Sequence, residues 1–339
     1  MQTVKQRETW VDNVKVTACI LVVLGHFFQS MNASHIIPSI DLFYWFNQTI
    51  YYFHVPLFFI CSGYLYQQYS TVNNVQTWGR NVTKKLLALG VPYIIFSFAT
   101  WVLKTAFSDS VNSQIGNLGD VLFLHPTAPY WYLYALFFLF LITPTFKNKK
   151  AAAVGFCAAL VLKIICIIFG KIDIQAILYI LKNEIWFVIG MCISSFDLKK
   201  YLVKSKIIIP AAAGVIFVGL SVLVYVLGID NRAVAFLLGL LACYAVVALT
   251  AKISSGKKQS AVMNFFSRYT MPIFLMHTLF AAPLRALLLK VGIQNAVIQI
   301  VLGLAISFIG PVIAAIIMRK LKWPEFIMYP GKFIRLKKK

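Results

Sequence analysis

The sequence predicts an all-α integral membrane protein, a polytopic bundle of about ten transmembrane helices with both termini cytoplasmic. Three observations predict it. Apolar residues make up 60% of the 339-residue chain and charged residues 12%, and the mean hydropathy is +0.80, far outside globular composition. Apolar windows of bilayer-spanning length recur from one end of the chain to the other. Basic residues gather in alternate connecting segments, as the positive-inside rule requires of cytoplasmic loops.

Taken in order, the first window is 13–30. Glu8 and Asp12 precede it and no small-residue cleavage site follows before Pro38, so it is expected to remain a span and not to be removed as a signal peptide. The second, 43–66, contains YYFHVPLFFICSGYLY, where Pro56 and the Ser62–Gly63 pair are expected to interrupt the helix. Lipid tolerates such breaks where the backbone lines a cavity. The third, 86–107, carries Arg80, Lys84 and Lys85 at its cytoplasmic start, against the helix dipole, so an anionic partner is expected there: a phosphate or lipid headgroups. The fourth, 129–146, opens on Tyr130, Trp131 and Tyr132, which read as an interfacial aromatic belt or a sugar-stacking face. The remaining windows are 151–170, 174–195, 207–228, 233–251, 269–289 and 294–318.

The net charge of +22 does not point to nucleic acid, because the cations are spread over alternate loops and form no single basic face. They fall at Lys5, Arg7 and Lys15, at 80–85, 147–150, 199–206 and 252–268, and in the tail from Arg319 to Lys339. The intervening loops carry Asp41, Asp109, Asp120, Asp173 and Asp230 and face outward. The ending GKFIRLKKK reads as a surface anchor to anionic lipid. All six cysteines lie in apolar segments without metal-ligand spacing, so no metal is expected. The whole of 1–339 reads as one membrane domain, with a short N-terminal segment 1–12 and a basic tail 319–339. The longest loop is 108–128, so chemistry is expected within the membrane body.

Chemistry-bearing residues are few. Lys15 and His26 lie eleven positions apart in the first window, which on a helix puts them on one face about 16 Å apart, one near a membrane edge and one deep inside. An ionisable group at that depth is by default a functional hypothesis. His54, Glu184 and His277 fall near the middle of their windows, and one cavity is expected to gather them with His26. Lys163 and Lys182 are also intramembrane but read mainly as snorkelling side chains. His35 and His125 lie in outward loops and carry no argument.

The order of motifs resembles a known family. VDNVK followed after ten residues by His26, then FHVPLFFICSGYL, then Arg80-x3-Lys84-Lys85-Leu86 running to VPY, PYWYLYALFF, and late in the chain SRYTMPIFLMH are together similar to the acyltransferase 3 family of membrane acyltransferases. The nearest flavour is its fucose 4-O-acetylase-like branch. The likeness covers positions 7 to 280, with weak motif content between 147 and 265. It implies a ten-helix acyltransferase of a bacterial plasma membrane that takes an acyl group, usually acetyl from cytosolic acetyl-CoA, to a hydroxyl of a cell-envelope saccharide or lipid-linked precursor.

By the same resemblance His26 matches the family's essential histidine, Lys15 stands where an arginine is usual, and Arg80 and Lys84 match a pair of cations. Lysine at 15 and 84 is a departure, since an ammonium lacks the bidentate phosphate contact of a guanidinium. Lys15, Arg80, Lys84 and Lys85 would hold the coenzyme diphosphate, with the pantetheine arm reaching toward His26. His26 would act as general base or accept the acyl group itself. Glu184 would orient an imidazole or bind a sugar hydroxyl, His54 would share the site, and Ser62 would donate to the oxyanion or only to its own helix. Two rival readings share these features: a transporter or flippase for a saccharide or other small molecule, and a noncatalytic subunit of polymer export.

Overall fold

A computed structural model describes residues 8–70, 72, 74–108, 116–170 and 172–334. Lys5, Arg7, Asp109, Arg335 and the three terminal lysines Lys337, Lys338 and Lys339, assigned above to loops or the anchor, lie outside the described residues. Eight described helices are long and apolar enough to cross a membrane. These are α1 (Thr9–Ala33), the run Val75–Ala106, α8 (Lys149–Phe169), α9 (Gln175–Ser195), α11 (Ile208–Val226), α12 (Arg232–Ser254), α13 (Ala261–Lys290) and α14 (Ala296–Leu321). The two other expected windows are helical but interrupted or short. Window 43–66 is the pair α2 (Asp41–Tyr51) and α3 (His54–Tyr69), and window 129–146 is α7 (Trp131–Ile142). Short helices α6 (Leu118–Phe123), α10 (Lys199–Lys204) and α15 (Glu325–Met328) lie in the connections.

Local chemistry explains each interruption. The break in the second span comes at Tyr52 and Phe53, before His54, and not at Pro56 or Ser62–Gly63 as the sequence suggested. Pro56 sits in the first turn of α3, where its missing N–H would have had no intrahelical partner anyway. In the run Val75–Ala106, α4 (Val75–Lys85) passes through a π-helical turn, Leu86–Gly90, into α5 (Val91–Ala106). Pro92 opens α5 and cannot donate back to the preceding turn, which widens to accommodate its ring. At the far end of α7, Thr143 takes an extended conformation (φ −97°, ψ 110°) ahead of Pro144, as a residue before proline prefers. A helix of twelve residues reaches only about 18 Å, short of a bilayer core of about 30 Å.

The core forms around α1, α3 and α9. Gly63 and Gly190 bring α3 and α9 together backbone to backbone: a Cβ on Gly63 would overlap the Phe187 carbonyl, and one on Gly190 the Ile60 carbonyl. Small residues at a helix contact are the usual device in lipid, where burial from water supplies no drive between helices. α1 packs against α3, α12 and α13 and buries Val14, Ala18, Val22 and Val23. The outer helices face lipid, with Ile168 and Phe169 on α8, Val215 on α11 and Val301 on α14 exposed. Tyr130 and Tyr132 correct the belt reading. Both are buried, the Tyr130 hydroxyl donating to the Leu275 carbonyl at 3.1 Å and the Tyr132 hydroxyl meeting that of Ser62 at 3.2 Å.

At the start of α1, Glu8 ties three segments together. Its carboxylate accepts from Trp10 Nε1 (2.9 Å), Lys199 Nζ (2.8 Å) and the hydroxyls of Tyr64 (3.2 Å) and Tyr69 (3.1 Å). Burial alone would raise its pKa, but the Lys199 contact and the tyrosine hydrogen bonds outweigh it and hold the carboxyl below its ordinary value.

Candidate active site

Three polar side chains meet where α1, the α2–α3 break and α13 come together. α1 runs unbroken from Lys15 to His26, so the spacing of about 16 Å along one face is retained. His26 lines a cavity of about 710 Å³, together with Gln29 one turn further along α1. The break after Tyr51 turns the chain so that Tyr51 and His54 line the same cavity. The Tyr51 ring meets the His54 ring edge-on at 4.6 Å, and its hydroxyl donates to Gln29 Oε1 at 2.8 Å. From α13, the His277 ring packs 5.5 Å from that of His26, with the planes inclined at 36°.

Hydrogen bonds fix two of the three imidazole tautomers. Nδ1 of His277 lies 3.0 Å from both the Ile273 and Phe274 carbonyl oxygens, and Nδ1 of His54 lies 2.6 Å from the Ile50 carbonyl. A carbonyl only accepts, so each Nδ1 carries the proton and each neutral ring offers its Nε2 lone pair. His277 Nε2 is buried and has no hydrogen-bond partner among the described residues. An acceptor nitrogen beside His26 can take an N–H from that ring and leave the other His26 nitrogen open for a substrate proton, which is how a base is oriented.

The other residues singled out by sequence sit elsewhere. Ser62 lies behind the wall, joined through its hydroxyl to Tyr132, which does line the cavity. Glu184 is buried between α9 and the end of α7 and does not line it; Thr143 Oγ1 donates to Glu184 Oε1 at 2.8 Å, and Oε2 has no partner among the described residues. Lys15 is half-buried on the central α1, whereas Arg80, Lys84 and Lys85 stand on α4, which packs against α7. Lys84 is exposed, and the Lys85 ammonium lies 3.8 Å from the centre of the Phe140 ring.

The sequence reading missed Tyr51 and Gln29, and it named Tyr132 only with the aromatic run at 130–132. Nothing marked Tyr51 and Gln29 as partners, since they lie on separate helices and meet only because the chain turns at Tyr52–Phe53. Lys163 and Lys182, read as snorkelling, line the same cavity together with Trp131, Tyr179 and Arg232.

Away from the cavity, His125 ties α6 to the segment that precedes α9. Its Nδ1 meets Asp120 Oδ1 at 2.7 Å and its Nε2 meets the Asp173 carbonyl at 3.2 Å. Both partners are acceptors, so both nitrogens donate only in the imidazolium form. The hydrogen bond to Asp120 raises the His125 pKa above its ordinary 6.5. A raised folded-state value makes this latch fully stabilising below that ordinary value, with the contribution lost as pH rises through the folded value. In thermal melts from about pH 5 to about pH 9, the wild type is therefore expected to lose its small advantage over His125→Gln toward the alkaline end. An advantage that grows with pH would contradict the imidazolium assignment.

The sequence model of a family described as "Acyltransferase domain" (Acyl_transf_3) matches residues 8–316. The chain is 29% identical over 139 residues to the nodulation protein NolL of Mesorhizobium japonicum (strain LMG 29417 / CECT 9101 / MAFF 303099). That stretch is 40% of this chain and 35% of the relative, so the chain spans about a third of the length of the curated relative it matches. No solved structure matches the chain.

Proposed function

The chain belongs to the acyltransferase family matched over residues 8–316, a multi-pass membrane acyltransferase, and from that membership we propose O-acetyl transfer from cytosolic acetyl-CoA to a cell-envelope saccharide or lipid-linked precursor. The membrane is the plasma membrane of a bacterium in this reading; the NolL relative is bacterial. The observation that carries it is the His26 imidazole facing a cavity of about 710 Å³ with the His277 ring 5.5 Å away.

In this reading His26 is the general base. The acceptor hydroxyl gives its proton to a His26 nitrogen as its oxygen attacks the thioester carbonyl carbon. The tetrahedral intermediate collapses, the C–S bond breaks, and the departing thiolate takes the proton back from the imidazolium. The products are an O-acyl ester and free coenzyme thiol, so atoms and charge balance. His277 and His54 act as positioning residues, His277 by holding the His26 ring and His54 by fixing the cavity wall at the α2–α3 break. Ser62 supports the wall through Tyr132, whereas Glu184 is tied to Thr143 away from the cavity and has no part in the step.

Lys15, Arg80, Lys84 and Lys85 receive the coenzyme diphosphate at the cytoplasmic edge, where cation–phosphate hydrogen bonds are strong. Lys15→Ala and Arg80→Ala are each expected to raise the acetyl-CoA KM about tenfold, with little change in kcat. A fall in kcat at constant KM would move these residues out of donor binding. The reading as a whole is tested by thiol release from acetyl-CoA in inside-out vesicles holding the protein and its native glycan pool. Movement of a saccharide driven by an ion gradient, with no thiol released, would replace it with transport.

A further inference from the structure

One part of the cavity has a charge that the acyl-transfer reading leaves unused. Lys163 on α8, Lys182 on α9 and Arg232 at the start of α12 all line it, and among the described residues no Asp or Glu does. Among the described residues none of the three forms an ion pair. Lys163 Nζ donates to the Lys182 carbonyl at 3.2 Å, and Arg232 Nη1 reaches the Ile167 carbonyl at 3.5 Å. The two lysines are half-buried within spanning helices, where uncompensated like charges are expensive.

The arrangement is built into the local packing. Gly170 ends α8, and a Cβ there would overlap the Arg232 guanidinium, so this glycine is what lets the arginine approach the rim. The Lys182 ammonium lies 4.6 Å from the Tyr179 ring centre and 5.7 Å from that of Trp131, and those two rings stack at 4.4 Å. Cation–π contact offsets part of the desolvation of Lys182 and leaves its charge in place. The aromatic rings supply apolar faces of the kind that stack on sugar rings.

We infer that this part of the cavity is a subsite for an anionic saccharide, one carrying a carboxylate or a phosphate close to the hydroxyl presented to His26. The inference rests on the acyl-transfer reading for its orientation and adds the charge class of the acceptor. The negative group comes either from a uronic acid unit or from the diphosphate of a lipid-linked sugar, and both would be neutralised by the same three cations.

The test is equilibrium binding to the full-length protein in phosphatidylcholine nanodiscs. The probes are a glucuronate oligosaccharide, a short polyprenyl diphosphate N-acetylglucosamine, and neutral maltotetraose. At least one anionic probe is expected to bind about tenfold or more tightly than maltotetraose, and the one that binds identifies the source of the charge. Lys182→Gln and Arg232→Gln are each expected to weaken that probe about tenfold, while Lys182→Arg retains it. Should the glutamine variants fold poorly, the salt dependence of wild-type binding serves instead, with affinity expected to fall as ionic strength rises.

Equal binding of maltotetraose, charge variants that bind like wild type, salt-independent affinity, or no binding of either anion would each overturn the inference. So would loss of both anionic probes when phosphatidylglycerol replaces phosphatidylcholine, which would assign the cations to a lipid headgroup. Thiol release from acetyl-CoA is measured on the same preparations to separate the two readings. Thiol release without anion binding removes this subsite alone, and anion binding without thiol release removes acyl transfer alone.

Discussion

His26→Ala is expected to lower acceptor-dependent thiol release from acetyl-CoA by about 100-fold or more, the usual contribution of a positioned general base. The side chain lines a cavity rather than filling the packed core, so expression and thermal stability should stay close to wild type. That combination separates chemistry from folding. A variant that melts normally and still releases thiol at the wild-type rate would remove His26 from the reaction and leave another group as the base. A residual rate is expected, because substrate positioning by the cavity survives loss of the base.

The second large effect is on the fold. Gly63→Val would drive side-chain atoms into the Phe187 carbonyl of α9, and Gly190→Val would do the same to the Ile60 carbonyl of α3. No flexible side chain can move aside in either case, so the helices must separate. We expect each variant to lose about 3 kcal/mol or more of stability, at or beyond the usual range for an overpacked core. The checks are the yield of monodisperse protein in detergent and its melting temperature. The contrast is Gly219→Ala on α11, where an added Cβ meets nothing within 4 Å and little change is expected. Gly63 and Gly190 variants as stable as the Gly219 variant would mean that α3 and α9 do not depend on this close approach.

Hydropathy located the helices because the bilayer imposes length and composition on every span, whatever its neighbours. It could not place the break in the second span. By type alone proline and glycine are helix breakers, yet Pro56 lies in the first turn of a helix and Gly63 continues one, since what each does depends on its position in a helix and on what lies across from it. The aromatic run at 130–132 was ambiguous for a similar reason: composition alone does not distinguish a tyrosine at the headgroups from one hydrogen-bonded inside the bundle. In sequence Lys163 and Lys182 read as snorkelling intramembrane cations, because a long side chain can reach water, and only the packing of α8 against α9 shows both lining a cavity.

The sequence by itself determined the membrane class, the helical windows and the motifs that resemble an acyltransferase, because these depend on local composition and on spacing along one helix. Lys15 and His26 share a face of α1 for that reason alone. Only the tertiary structure decided that His277 stands beside His26, that Tyr51 and His54 share its cavity, and that Glu184 turns away to Thr143. Those outcomes depend on how helices distant in sequence pack, and in lipid that packing is governed by close backbone approach and interhelical hydrogen bonds, which no one-dimensional pattern records.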